Sequence, residues 1–142
     1  LLRIGEGILL ARHLDVFYGY DMSDMYQDVF RLKAEVIEVK NKPSHPVGTI
    51  AVDAFGHTPV YVDRGMRKRA LLGVGKVDYG DPSELLPLEE GIEVLGASSD
   101  HTIIDIENAP KEWKAGDIME FDVCYATIVY LTNCRNVNIA FV

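Results

Sequence analysis

The sequence predicts a mainly β chain, an antiparallel barrel or sandwich with little helix. Roughly seven or eight short runs rich in Val, Ile, Thr, Tyr and Phe recur at turn-separated intervals. Stretches such as "KPSHPVG", "GHTP" and "GDPSELLPLEEG" fall between those runs, where Pro and Gly break or turn the chain. With 142 residues, 48% of them hydrophobic and 25% charged, the chain has the size and composition of one globular domain able to bury a core without disulfides.

The elements follow in order. "IGEGILLAR" fits one short helix, weakened by Gly5 and Gly7. "YGYDMSDMYQD" is a polar connector with room for one helical turn. From Val29 the texture changes: residues 29–41 alternate apolar and charged side chains, and their β-branched content decides for strand. Pro43 and Pro46 then force an extended turn. Residues 49–55 and 60–63 are expected as strands, joined by the "GHTP" turn. Residues 67–79 read as a buried strand in which Gly73 and Gly75 admit a close approach by another backbone or a ligand. Residues 80–91 read as a loop with a helical turn that Ser83 can cap and Pro87 stops. "IEVLGASS" and "HTIIDIE" make two strands, or one strand bent at the Ser pair. "IMEFDVCY" is a strand with Glu120 and Asp122 on one face and Met119, Phe121 and Val123 on the other. "ATIVYLTN" fits a strand or a short helix equally well, and "NVNIAFV" closes the sequence.

A formal net charge of −8 argues against a nucleic-acid partner, whose backbone it would repel. The local exception, Arg64, Arg67, Lys68 and Arg69, is expected to be a solvated face or a source of internal ion pairs. The two cysteines, Cys124 and Cys134, sit among aromatic and β-branched neighbours and read as reduced, packed thiols of a cytoplasmic protein. No apolar run is long enough to span a membrane, and no signal segment opens the chain. The first residue is Leu, within an apolar pattern that has no N-cap before it, so the chain is expected to be part of a longer protein.

Few residue constellations point to chemistry by themselves. His13, His45, His57 and His101 form no ligand pattern, so no metal site is expected. In "GASSDHTIIDI", Ser99, Asp100 and His101 are the residue types of a nucleophilic triad, but neighbours on a strand face opposite ways. On a regular strand His101 points away from Asp100, and packing is its expected role. Asp53, Asp78 or Asp100 could serve a carboxylate-dependent hydrolase, with nothing to select a pair.

Taken together, "LRIGEGILLAR", "VDAFGHTPVYVDRGMRKRALLGVGKVD" and "LGASSDHTIIDI" resemble the alanine/ornithine racemase family of fold-type III pyridoxal-phosphate enzymes, most closely its ornithine branch. "AEVIEVKNKPSHPVG" and "AGDIMEFDVCYATIVYLT" keep the same order, so the resemblance runs over nearly the whole chain. It implies a C-terminal, β-barrel-like domain over residues 29–142, preceded over residues 1–28 by a connector and the end of a TIM-type barrel. It also implies pyridoxal 5'-phosphate as cofactor, held by a lysine absent from this sequence.

By the same resemblance, Arg3 faces the pyridine nitrogen, Gly5 and Glu6 offer amides near the cofactor phosphate, and the Tyr125 hydroxyl reaches that phosphate. Ser99 gives its amide to the substrate carboxylate, and Asp100 lies beside the proton-transfer site. The sequence departs from the family at "GVGKVDY", where Lys76 and Asp78 replace the tyrosine and match the Asp of a G-Y-x-D stretch. Lys76 is then the candidate second base or carboxylate holder, with Asp100, His101 and Tyr79 as nearby alternatives. For a basic amino acid, Asp53, Asp78 and Asp100 are candidates to meet the distal ammonium. The implied assembly is a homodimer whose sites are completed by the partner subunit, so this part alone would be inactive. The alternative reading is a non-catalytic β-barrel binding or assembly module.

Overall fold

In the computed structural model residues 1–3, 5–52, 56, 58 and 60–142 are described; the candidates Asp53 and His57 and the "DAF" of the resemblance lie outside that set. Alternation of apolar and charged side chains makes Leu32–Pro43 the longest strand, β1, with Leu32, Ala34 and Val36 turned inward. The further strands are β2 (Met66–Leu72), β3 (Leu85–Pro87), β4 (Glu93–Ala97), β5 (Thr102–Asp105) and β6 (Ile118–Val123). Among the described residues four short helices accompany them: α1 (Glu6–Leu9), α2 (Leu14–Tyr18), α3 (Lys76–Tyr79) and α4 (Tyr125–Asn133). Single helical turns at Met22–Asp24 and Pro82–Glu84 are each closed by an Asp side chain, Asp21 and Asp81, accepting from the Ser amide two residues on.

All strand pairs are antiparallel, in the order β3-β6-β1-β2-β5-β4. Strand β1 serves both halves of that sheet. Its start, Leu32–Glu35, pairs with β6, and from Val36 on it pairs with β2, with a register shift between Val36 and Glu38. A bulge at that point bends the strand. The sheet curls until its terminal strands β3 and β4 meet, giving a nearly closed barrel. Its interior holds Val36, Ala70, Leu72, Ile104, Met119, Phe121 and Val123, with Trp113 and Tyr79 as the large covers.

The mainly β antiparallel expectation is met, with corrections. Among the described residues of 49–55 and 60–63 there is no strand. The β1–β2 ladder closes without them, because the Ser44 amide already bonds the Gly65 carbonyl at 2.8 Å. The strand expected to run to Tyr79 stops at Leu72 and is followed by α3. Leu85–Pro87, expected within a loop, is a strand because β6 offers it an edge. The ambiguous 126–133 segment resolves as α4, which buries Thr127 and packs Ile128 and Leu131 on the core.

The basic cluster is an ion-pair source. Arg67 forks onto Asp105 with two 2.9 Å bonds, Arg64 reaches Glu93 at 2.8 Å, and Lys68 reaches Glu112 at 3.5 Å. No helix among the described residues is long and apolar enough to cross a membrane.

Candidate functional site

The segment 98–101 is the turn of the β4–β5 hairpin, and α3 docks against it. The Ser98 amide donates to the His101 carbonyl at 2.9 Å, and the His101 amide returns to Ser98 Oγ at 3.2 Å. Inside that turn Ser99 Oγ donates to Asp100 Oδ2 at 2.8 Å, so these two side chains meet instead of facing opposite ways. The regular-strand argument fails there because residues 98–101 lie in the bend between the strands. His101 is exposed, which corrects its expected packing role.

The turn also supplies the acceptors that start α3. The Lys76 amide donates to the Ser98 carbonyl and the Val77 amide to the Ser99 carbonyl, both at 3.0 Å. Gly75 permits this approach: a Cβ there would lie 2.2 Å from the Ser99 carbonyl oxygen and 2.5 Å from the Asp100 nitrogen. The close approach expected at Gly75 is therefore made by the hairpin backbone. Neither the Ser99 nor the Asp100 amide donates to another group among the described residues.

Lys76, Asp78, Ser99 and Asp100 thus come together in one corner, although 23 positions separate Lys76 from Ser99. Lys76 is half-buried at the first position of α3, where its charge reaches Asp81 and helps hold that carboxyl below 3.8, behind the larger effect of the Ser83 amide and hydroxyl. Asp78 is buried, and both its oxygens are engaged: Oδ2 accepts from the Gly75 amide at 2.9 Å and Oδ1 from the Cys134 thiol at 3.2 Å. Asp100 is exposed, and only its Oδ2 is bonded among the described residues.

Tyr79 lies beneath this corner. Thr102 Oγ1 donates its only proton to the Val74 carbonyl at 2.7 Å, so at 2.6 Å the Tyr79 hydroxyl is the donor to Thr102. Burial pushes the phenol above 10.0, and the neighbouring charges of Asp78 and Asp81 add to it. Its proton is committed to the fold.

The residues expected near the cofactor lie elsewhere in the chain. Arg3, Gly5 and Glu6 are exposed at the start, with Gly5 as N-cap and Glu6 as first residue of α1. Tyr125 opens α4 with its side chain half-exposed. Guanidinium, amide and hydroxyl donors of this kind suit a phosphate and a ring nitrogen. Nothing lies within 4 Å of a Cβ at Gly5, so this chain leaves room there. No group of three or more His, Cys, Asp or Glu able to hold a metal occurs among the described residues. Sequence reasoning missed Cys134 and Ser98, whose contacts join residues far apart or on a turn; only Gly75 signalled them.

Over nine-tenths of its length the chain is similar to two amino-acid racemases. It is 47% identical over 128 residues to the ornithine racemase of Acetoanaerobium sticklandii and 42% identical over 128 residues to the lysine racemase of Thermotoga maritima. Each match covers 90% of this chain and 35% of the relative, so the chain spans about a third of those proteins' length. A looser likeness in shape, with a TM-score of 0.34 and 13% identity, links 74% of this chain to 29% of the alanine racemase of Acinetobacter baumannii. No protein-family model matches the chain.

Proposed function

We propose that this chain is the β-barrel part of a pyridoxal-phosphate amino-acid racemase that interconverts the enantiomers of a basic amino acid, ornithine first and lysine next. The observation that carries the reading is the identity of 47% and 42% to racemases of those two amino acids. The convergence of Lys76, Ser99 and Asp100 at one corner supports it.

Racemisation must remove a proton from one face of Cα and return one to the other, so it needs two proton-transfer groups on opposite sides. In the proposed site the Lys76 amine serves one face. The Ser99 amide, which donates to no other group among the described residues, receives the substrate carboxylate and so fixes which way Cα–H points. Asp100 keeps Oδ1 open toward the same corner and can stabilise a nearby cation, whether the substrate's distal ammonium or a protonated base. Asp78 is committed to Gly75 and Cys134, which leaves Asp100 as the described carboxylate with a free oxygen for that task.

Arg3 would face the cofactor ring nitrogen, while the Gly5 and Glu6 amides and the Tyr125 hydroxyl would hold its phosphate. When bound, that group acts as the electron sink that makes Cα–H acidic. The second proton-transfer group lies on a lysine outside this sequence, and a homodimer brings the parts together.

Chiral chromatography of the complete protein incubated with L-ornithine, L-lysine and L-alanine, with and without added pyridoxal phosphate, tests the reading. The D-enantiomer of a basic amino acid is expected, with visible cofactor absorbance in the purified protein. No enantiomer exchange with any of the three, cofactor supplied, would overturn it in favour of a non-catalytic binding module.

A further inference from the structure

A four-residue helix does not hold itself in place, so the position of α3 must come from its surroundings. Apolar packing anchors its last residue, Tyr79, in the core but does not hold its start. Val77 is half-exposed, and beside it a cleft of about 300 Å³ separates α3 from α4, lined by Val77, Val129, Tyr130, Asn133 and Cys134. What remains is a set of polar and steric fixings at each end of the helix. At its end, Gly80 adopts φ +87° and lies so close under Tyr130 of α4 that a Cβ would be 2.8 Å from the ring. At its start, the buried Asp78 carboxylate ties the Gly75 amide to the thiol of Cys134, the C-cap of α4.

We infer that Cys134 is a positioning residue: through Asp78 and Gly75 its S–H fixes the start of α3, and with it Lys76. The chain of contacts is continuous, from Cys134 Sγ to Asp78 Oδ1 at 3.2 Å and from Asp78 Oδ2 to the Gly75 nitrogen at 2.9 Å. The thiol donates one of the two hydrogen bonds that a buried carboxylate receives from named partners. Without it the carboxylate gains by turning toward the water of the cleft, which draws it off Gly75. Lys76 follows Gly75 directly, and its amide is the first donor onto the hairpin turn. A loosened Gly75 therefore displaces the Lys76 side chain relative to the Ser99 amide. The catalytic consequence rests on the proposed racemase function; the link between α4 and α3 does not.

The complete protein carrying Cys134→Ala and Cys134→Ser, read by amide hydrogen exchange and by racemisation, separates these statements. In the alanine variant the Gly75 amide should exchange about tenfold faster or more, the size expected for a lost hydrogen bond to a charged group, while the Ile104 amide of β5 is unchanged. Serine keeps a donor and should restore protection at Gly75. In turnover, alanine should lower kcat about tenfold with KM nearly constant, and slow α-proton exchange for one enantiomer more than for the other. Unaltered exchange at Gly75, equal acceleration at Gly75 and Ile104, or failure of serine to rescue would each overturn the inference. If the unsubstituted protein racemises nothing while Gly75 responds as described, the proposed function falls and the α4–α3 link stands.

Discussion

At the scale of single residues, Gly75 has the narrowest tolerance in the corner. Any side chain there meets backbone on the hairpin turn, 2.2 Å away, and backbone cannot swing aside as a flexible side chain can. Gly75→Ala should cost about 1–3 kcal/mol, the usual range for overpacking, measured as a lower urea midpoint at unchanged m. A substitution that leaves the midpoint in place would show that the turn moves freely. Tyr79→Phe should cost about 1 kcal/mol, since it deletes the donor to Thr102 while Thr102 keeps its bond to Val74. Asp105 is expected to contribute to the acid response. Burial pushes its carboxyl up, but the Arg67 fork, the Glu107 amide and the charges of Arg67 and Arg64 outweigh that and hold it below 3.8. A carboxyl lowered in the folded state contributes its stability above the unfolded value and loses it as pH falls through the folded one. Denaturation midpoints followed downward from pH 5 should therefore fall less steeply in Asp105→Asn than in the natural protein. Parallel slopes would remove Asp105 from the acid response.

At the scale of elements, β6 shows which parts of the fold were legible in the residues. Its alternation put Met119, Phe121 and Val123 inward and Glu120 and Asp122 outward, and the structure agrees, because pleating alone decides side-chain direction on a paired strand. Phe121→Ala should accordingly cost about 3–5 kcal/mol in denaturant unfolding. Glu120→Ala, which removes only the exposed pair with Lys33, should stay within about 0.5 kcal/mol. Similar losses for the two would mean that β6 is not fixed in this register. Elements built by distant partners were not legible. The strand Leu85–Pro87 exists because β6 presents an edge to it, and nothing in "LLP" announces this. The helix Lys76–Tyr79 is set by carbonyls of Ser98 and Ser99, so β-branched neighbours suggested strand where long-range capping imposed a turn. Residues 126–133 suited strand or helix locally, and burial of Thr127 with Ile128 and Leu131 against the core settled the matter. The site divides in the same way: the residue types at 76, 99 and 100 were visible in sequence, whereas the Cys134 contact depends on α4 folding back over α3.

At the scale of the whole molecule, the proposed chemistry is incomplete within this chain, and that gives the reading its sharpest test. In the proposed reading the barrel would contribute one proton-transfer side chain, Lys76, and the surfaces around it, and the cofactor-bearing lysine would come from outside this sequence. If each site combines a lysine of one subunit with the barrel of its partner, two inactive proteins can repair one another. A complete protein with Lys76→Ala and another lacking the cofactor lysine should each be nearly inactive alone. Co-expressed under separate tags, they form two kinds of homodimer and a heterodimer, which holds one site with both lysines intact and one with neither. Random pairing in a two-fold dimer makes about half the dimers mixed, so about a quarter of the natural racemase activity should return. The purified heterodimer should carry it, at about half the natural activity per dimer. If the heterodimer remains as inactive as its parents while both variants fold and dimerise, the two lysines act within one subunit. If Lys76→Ala alone retains exchange at both faces of Cα, Lys76 is not the second proton-transfer group, and the open carboxylate of Asp100 becomes the next residue to replace.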